Sequence, residues 1–208
     1  MKLKQLFLLL ALTPLALPVW AGTALDQLND FHNHMQTLQA DFEQQLINDK
    51  GQTQQQVSGK VYIQRPGQFR WDYRAPYEQL IMGDPHRLII YDVDLEQVTV
   101  KAIDEALGQT PAVILSGNSD LAENFYITEL EPSEGLQRIE LSPRSNEGSF
   151  VRMELGFRDA ELHRVELLDG FGQLTVITLQ QVQRNQPLPA DIFSFEPPEG
   201  VDVVGDLN

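Results

Sequence analysis

Apolar residues that alternate with polar ones, segment after segment with short turns between, constrain this chain more than any other feature. Val61, Ile63 and Arg65 alternate with Tyr62 and Gln64; after Pro66-Gly67, Phe69, Trp71 and Tyr73 alternate with Arg70, Asp72 and Arg74. Period two sends successive side chains to opposite faces of a strand, so each segment has one face that must be covered. Breaks at Asn48-Asp49-Lys50-Gly51, Ala75-Pro76 and Gly83-Asp84-Pro85 separate Tyr77–Met82, Leu88–Asp92 and Glu96–Lys101 as further strands. The pattern resumes at Phe125–Glu131, Leu136–Ser142, Phe150–Phe157, Leu162–Leu168 and Leu174–Val182, and Gln186-Pro187-Leu188-Pro189 ends it. Short strands with tight turns predict one antiparallel meander.

Two segments read as helical instead. Thr23 followed by Asp26 forms a capping-box-like start, after which Leu25, Leu28, Phe31, Met35, Leu38 and Phe42 recur at steps of three and four, predicting an amphipathic helix as far as Phe42. Thr110 is an N-cap with Pro111 in the first helical position, and Ala112, Val113, Ile114 and Leu115 follow before Ser116-Gly117-Asn118 stops the segment; Ser119 caps another short turn through Glu123. The expected architecture is one curved sheet with two apolar helical segments against one face.

The N-terminus stands apart. Lys2 and Lys4, an apolar run from Leu6 to Leu17, and Val19-Trp20-Ala21 have the form of a secretory signal cleaved after Ala21, leaving 22–208 as a single domain. The full chain carries 30 Asp+Glu against 15 Lys+Arg. Loss of both N-terminal lysines takes the formal net charge from −15 to −17. Such a chain is poorly suited to nucleic acid or an anionic membrane surface, which need clustered cations. With no cysteine it has no disulfides, no thiolate-held metal and no thioether-linked lipid anchor of its own.

No catalytic motif is present: there is no G-x-S-x-G elbow, P-loop, H-E-x-x-H or dinucleotide fingerprint. His32 and His34, two apart on a helix, point about 200° from one another and cannot share a metal, and His86 and His163 are isolated, so neither metal nor cofactor is expected. Asp92, Asp94 and Glu96 would share one face of an extended strand, which reads as a solvated face. A secreted hydrolase using Ser116, Asp120 or Asp92 is the weakest alternative.

Arg65 continues the Val61–Ile63 face. It is either an arginine snorkelling to solvent at the sheet rim or a clamp, its five fixed donors gathering the unpaired carbonyls of a helix end such as 110–117. Phe69, Trp71 and Tyr73 are either ordinary core or the wall of a concavity that two small helices cover without filling.

The run Tyr62-Ile63-Gln64-Arg65-Pro66-Gly67-Gln68-Phe69-Arg70-Trp71 is followed by Pro76, Gln79-Leu80-Ile81, Tyr91-Asp92, Asp94-Leu95-Glu96-Gln97-Val98 and Gly108-Gln109-Thr110-Pro111. With Leu141-Ser142-Pro143-Arg144 and Phe193-Ser194-Phe195-Glu196-Pro197-Pro198-Glu199-Gly200-Val201, it resembles the outer-membrane lipoprotein carrier (LolA) family over essentially the whole chain after the signal. The resemblance implies a mainly β fold, an incomplete, strongly curved antiparallel barrel with a helical lid over an apolar cavity. It further implies a periplasmic monomer that takes acylated lipoproteins from an inner-membrane ABC transporter and hands them to an outer-membrane acceptor. The intact R-P-x-x-F-x-W pattern carries over Arg65 as the lid latch and Phe69 at the cavity mouth. The expected acyl-chain lining is Phe31, Met35, Val61, Ile63, Phe69, Trp71, Ile90, Ile114 and Leu115. A lipid-sensing regulatory domain of the same fold is the alternative.

Overall fold

The computed structural model describes residues 22–103, 115–117, 121–145 and 150–205. A helix, α1 (Ala24–His34), leads into β1 (Thr37–Ile47), β2 (Thr53–Gln64), β3 (Gln68–Ala75), β4 (Gln79–Gly83), β5 (Arg87–Asp92) and β6 (Gln97–Ala102). After a single helical turn, α2 (Leu121–Asn124), come β7 (Phe125–Ser133), β8 (Leu136–Pro143), β9 (Phe150–Arg158), β10 (Glu161–Asp169), β11 (Leu174–Arg184) and β12 (Asp202–Val204). These strands form one sheet in the order β12-β6-β5-β4-β3-β2-β1-β11-β10-β9-β8-β7. Its two end strands do not pair with each other, so the sheet is open. All neighbours are antiparallel except β12, which runs parallel to β6.

One cluster joins Phe69, Trp71 and Leu88 from one half of the sheet to Ile139, Phe157 and Leu162 from the other, which requires the sheet to bend around its contents. Helix α1 lies in that bend. Its capping box is formed as expected, Thr23 Oγ1 accepting from Asp26 N and Asp26 Oδ2 from Thr23 N, and it seats Leu28 and Phe31 in the cluster, with the Phe31 and Phe157 rings 5.7 Å apart.

The helix is shorter than its apolar spacing predicts. Met35 takes an extended backbone and returns its N–H to Phe31 O at 3.2 Å, so Leu38 and Phe42 lie on β1. Leu38, Ala40 and Phe42 fit period two as well as Met35, Leu38 and Phe42 fit the helical period, and the choice falls to pairing: β1 bonds β2 on one side and β11 on the other. Asp92, Asp94 and Glu96 share no strand face either. Asp92 ends β5, Asp94 and Glu96 sit in the turn before β6, Glu96 has φ +49, and Asp92 Oδ1 accepts from Leu95 N.

The segment beyond Gln186-Pro187-Leu188-Pro189, where the sequence pattern ends the strands, crosses the opposite face. Phe195 and Val201 pack on Leu80, Met82, Ile89 and Val98, and β12 pairs Asp202 with Gln97, so β4–β6 are covered on both sides.

Candidate functional site

Arg65 follows β2 at the rim of the concave face. Its Nε and Nη2 donate to Leu115 O at 3.2 and 3.0 Å, and Nη1 donates to Phe31 O at 3.2 Å and to His32 O. The guanidinium carbon lies 5.2 Å from the centre of the Phe31 ring. One side chain therefore gathers carbonyls from the last turn of α1 and from residue 115; of these, Phe31 O also accepts the capping N–H of Met35, and Arg65 supplies a second donor there. Fixed donor geometry suits arginine to this over lysine. The sequence left open whether Arg65 reaches solvent or clamps a helix end such as 110–117; Leu115 lies in that segment, whereas the two contacts on α1 were not foreseen, because nothing in the local pattern places α1 beside the β2–β3 turn. Burial, with a smaller contribution from Arg184, lowers the Arg65 pKa to about 10, so it stays charged at neutral pH.

The surrounding backbone completes the contact. Gly67 N donates to Ser116 O at 3.1 Å, and Gly117, with φ +79, lies so close to Arg65 that a Cβ there would sit 2.8 Å from its Nε. Helix α1 is held from its other flank by Arg184, whose Nη1 bonds Asp30 Oδ2 at 2.6 Å and Ala160 O at 3.2 Å while Nη2 bonds Asp30 O at 3.0 Å. Asn185 Nδ2 donates to His34 O at 2.9 Å, and its Oδ1 accepts from Gln36 N at 2.7 Å. These two neighbours at the end of β11 carry no motif that sequence reasoning could have recognised.

Behind the arginine, Phe31, Met35, Val61, Ile63, Phe69, Trp71 and Leu115 are all buried in one apolar cluster, and half-buried Ile90 packs against it. Ile114 lies outside the described residues. Phe42, which sequence reasoning placed on a helix, belongs to the same wall, its ring 5.2 Å from those of Trp71 and Tyr73. Burial pushes the Tyr73 hydroxyl pKa well above its ordinary value, and that hydroxyl donates to Gln44 Oε1 at 3.3 Å.

Chemistry other than apolar burial has little support here. Among the described residues, no group of three His, Asp or Glu could hold a metal ion. Ser116 is fully buried, Asp92 closes β5, and Asp120 lies outside the described residues.

A model of the family described as outer membrane lipoprotein carrier protein LolA matches residues 33–196. A protein of Dechloromonas aromatica named outer-membrane lipoprotein carrier protein is 42% identical over 183 residues, 88% of each chain. One of the same name from Nitrosospira multiformis is 40% identical over 207 residues, 99% of this chain and 100% of the other. Among solved structures, an uncharacterized conserved protein of Thermus thermophilus shares the fold, with a TM-score of 0.54 at 15% identity over 87% of this chain and 96% of that one. A family match over most of the sequence, two relatives at 40% identity or more, and an open curved sheet around an apolar face agree: the chain belongs to the outer-membrane lipoprotein carrier protein family.

Proposed function

We propose that this protein is a periplasmic carrier that shields the acyl chains of lipoproteins, receiving them from an inner-membrane ABC transporter and passing them to an outer-membrane acceptor. The observation that carries the reading is Arg65, which ties α1 and residue 115 together across an apolar concave face. The family is one of carriers, not enzymes. A sixteen-carbon chain moved into water costs roughly 12 kcal/mol at ~0.8 kcal/mol per methylene, so a carrier needs an apolar interior more than any polar contact. Phe31, Met35, Val61, Ile63, Phe69, Trp71, Ile90, Ile114 and Leu115 form that interior in this reading.

The closed arrangement buries Phe31, Met35, Val61, Ile63, Phe69, Trp71 and Leu115 in one cluster, so an acyl chain enters only if α1 and 115–117 separate. Arg65 then acts as the latch: its bonds to main-chain carbonyls are strong enough to close the empty carrier, yet each carbonyl can be taken over by water on opening. Residues 1–21 are removed on export in this scheme, and the acidic monomer left behind moves between two membranes without adhering to anionic lipid.

The test is release of a radiolabelled lipoprotein from spheroplasts, with and without the purified protein in the medium. Lipoprotein should appear in the medium only with the protein. Arg65→Leu should fold, take up lipoprotein and fail to pass it on; unchanged handover by that variant would remove the latch.

A further inference from the structure

Among the described residues, three buried side-chain nitrogens lack a hydrogen-bond partner: Nε1 of Trp71 and Nε of Arg164 and Arg184. The two arginines have partners all the same: Arg164 Nε lies 2.7 Å from Glu166 Oε1 and its Nη1 bonds Glu134, and Arg184 Nη1 bonds Asp30. Trp71 has no second donor, and it lies in the apolar cluster at 3% exposure. Its neighbours on that wall are better served: Tyr73 Oη bonds Gln44, and Tyr77 Oη accepts from Gln55 Nε2 at 2.7 Å. A buried N–H with no acceptor is a standing cost to the empty protein, and phenylalanine or leucine would avoid it.

The place of this N–H on the sheet suggests what meets it. Phe69 pairs with Ile63 and Gly83 beside the β2–β3 turn; Trp71 is the next residue inward on the same face, pairing with Val61 and Ile81, about 7 Å deeper. An acyl chain that enters past Arg65 and Phe69 has a hydrocarbon tail with nothing to bond and, at its head, one carbonyl oxygen that has left water. A lone donor one strand step inside the rim matches a lone acceptor at the head of a chain.

We propose that the Trp71 indole N–H receives the acyl carbonyl oxygen of the bound lipoprotein, fixing how deeply one chain sits and favouring ester- or amide-linked chains over hydrocarbon alone. This rests on the carrier reading above. The carbonyl has two sources in an acylated N-terminus, a glyceryl ester and an N-acyl amide, and both present the same oxygen.

The experiment uses protein purified from the periplasm and three synthetic lipopeptides of equal chain length: one with ester-linked chains and an N-acyl amide, one with the esters replaced by ethers, and one with the amide replaced by an N-alkyl amine. Wild type should bind the first about five- to tenfold more tightly than one of the other two, the worth of one buried neutral hydrogen bond, and Trp71→Phe should bind both members of that pair alike. Which replacement matters identifies the source. Independently of any variant, the 15N-labelled indole N–H resonance of Trp71, the one tryptophan left once residues 1–21 are removed, should move downfield with the favoured lipopeptide and not with its replacement. Equal binding of all three by wild type, or a preference that survives Trp71→Phe, overturns the proposal and leaves the carrier intact. A wild type that binds none overturns both.

Discussion

Replacing Gly117 by alanine tests the latch without touching Arg65. Gly117 has φ +79, where a Cβ costs about 1 kcal/mol. The new carbon would lie 2.8 Å from Nε and 2.9 Å from Cδ of Arg65, closer than nonbonded atoms tolerate, so the guanidinium must retreat. Its bonds to Leu115 O, at 3.0 and 3.2 Å, have little length to spare. A retreat of a few tenths of an ångström forfeits one or both, at a net ~1 kcal/mol each. The closed arrangement should therefore lose about 2–3 kcal/mol, a shift of roughly thirty- to a hundred-and-fiftyfold toward open forms. Amide exchange at Gly67, whose N–H donates to Ser116 O, reads this directly and should quicken by that factor. Gly172→Ala is the control: with φ +82 it carries the same backbone cost, but its Cβ meets only Asp49 at 3.4 Å, so Gly67 exchange should not change. If Gly117→Ala also leaves Gly67 at the wild-type rate, with far-ultraviolet circular dichroism unaltered, Arg65 and Gly117 are not one closing device.

Other substitutions probe separate parts. Phe69→Glu puts a carboxyl at a fully buried position; lipoprotein loading measured by co-purification should fall to background while secondary structure persists, and normal delivery would take Phe69 out of the site. Arg138→Met leaves the Glu154 carboxylate, 8% exposed, without the guanidinium that grips both its oxygens; urea unfolding should show a loss of about 3 kcal/mol, and adding Glu154→Gln should recover part of it. Hydrogen bonds from Arg184 and then His34 hold the Asp30 carboxyl below its ordinary 3.8, so the stability it contributes is present above about pH 4 and lost as pH falls through the lowered value. Asp30→Asn should flatten the acid limb of the stability curve, from about pH 5 downward, and a curve identical to wild type would show that the pair contributes nothing to folding.

Most of the sheet could be read directly from alternation, because period two is a local property: Val61 to Arg65 and Phe69 to Tyr73 face inward wherever the strands are finally placed. The capping box at Thr23 and Asp26 was legible for the same reason, its two hydrogen bonds spanning three residues. The end of α1 was not legible, since Leu38 and Phe42 satisfy both periods and only pairing with β2 and β11 decides between them. Nor was β12, whose three residues acquire a strand's bonds only because β6 is there to meet them.

Arg65 marks the boundary between the two kinds of information most sharply. From the sequence alone, the chain was determined to be mainly β, antiparallel, rich in acid, free of cysteine and without a catalytic motif, and an arginine was determined to continue an apolar face. Whether that arginine reached solvent or a helix end depended on where α1 and residue 115 came to rest, 34 and 50 residues away along the chain. Contacts at that separation follow from how the sheet bends and what fills the bend. The same holds for Trp71, whose burial was predictable from its strand position but whose unanswered N–H appears only once every neighbour is in place.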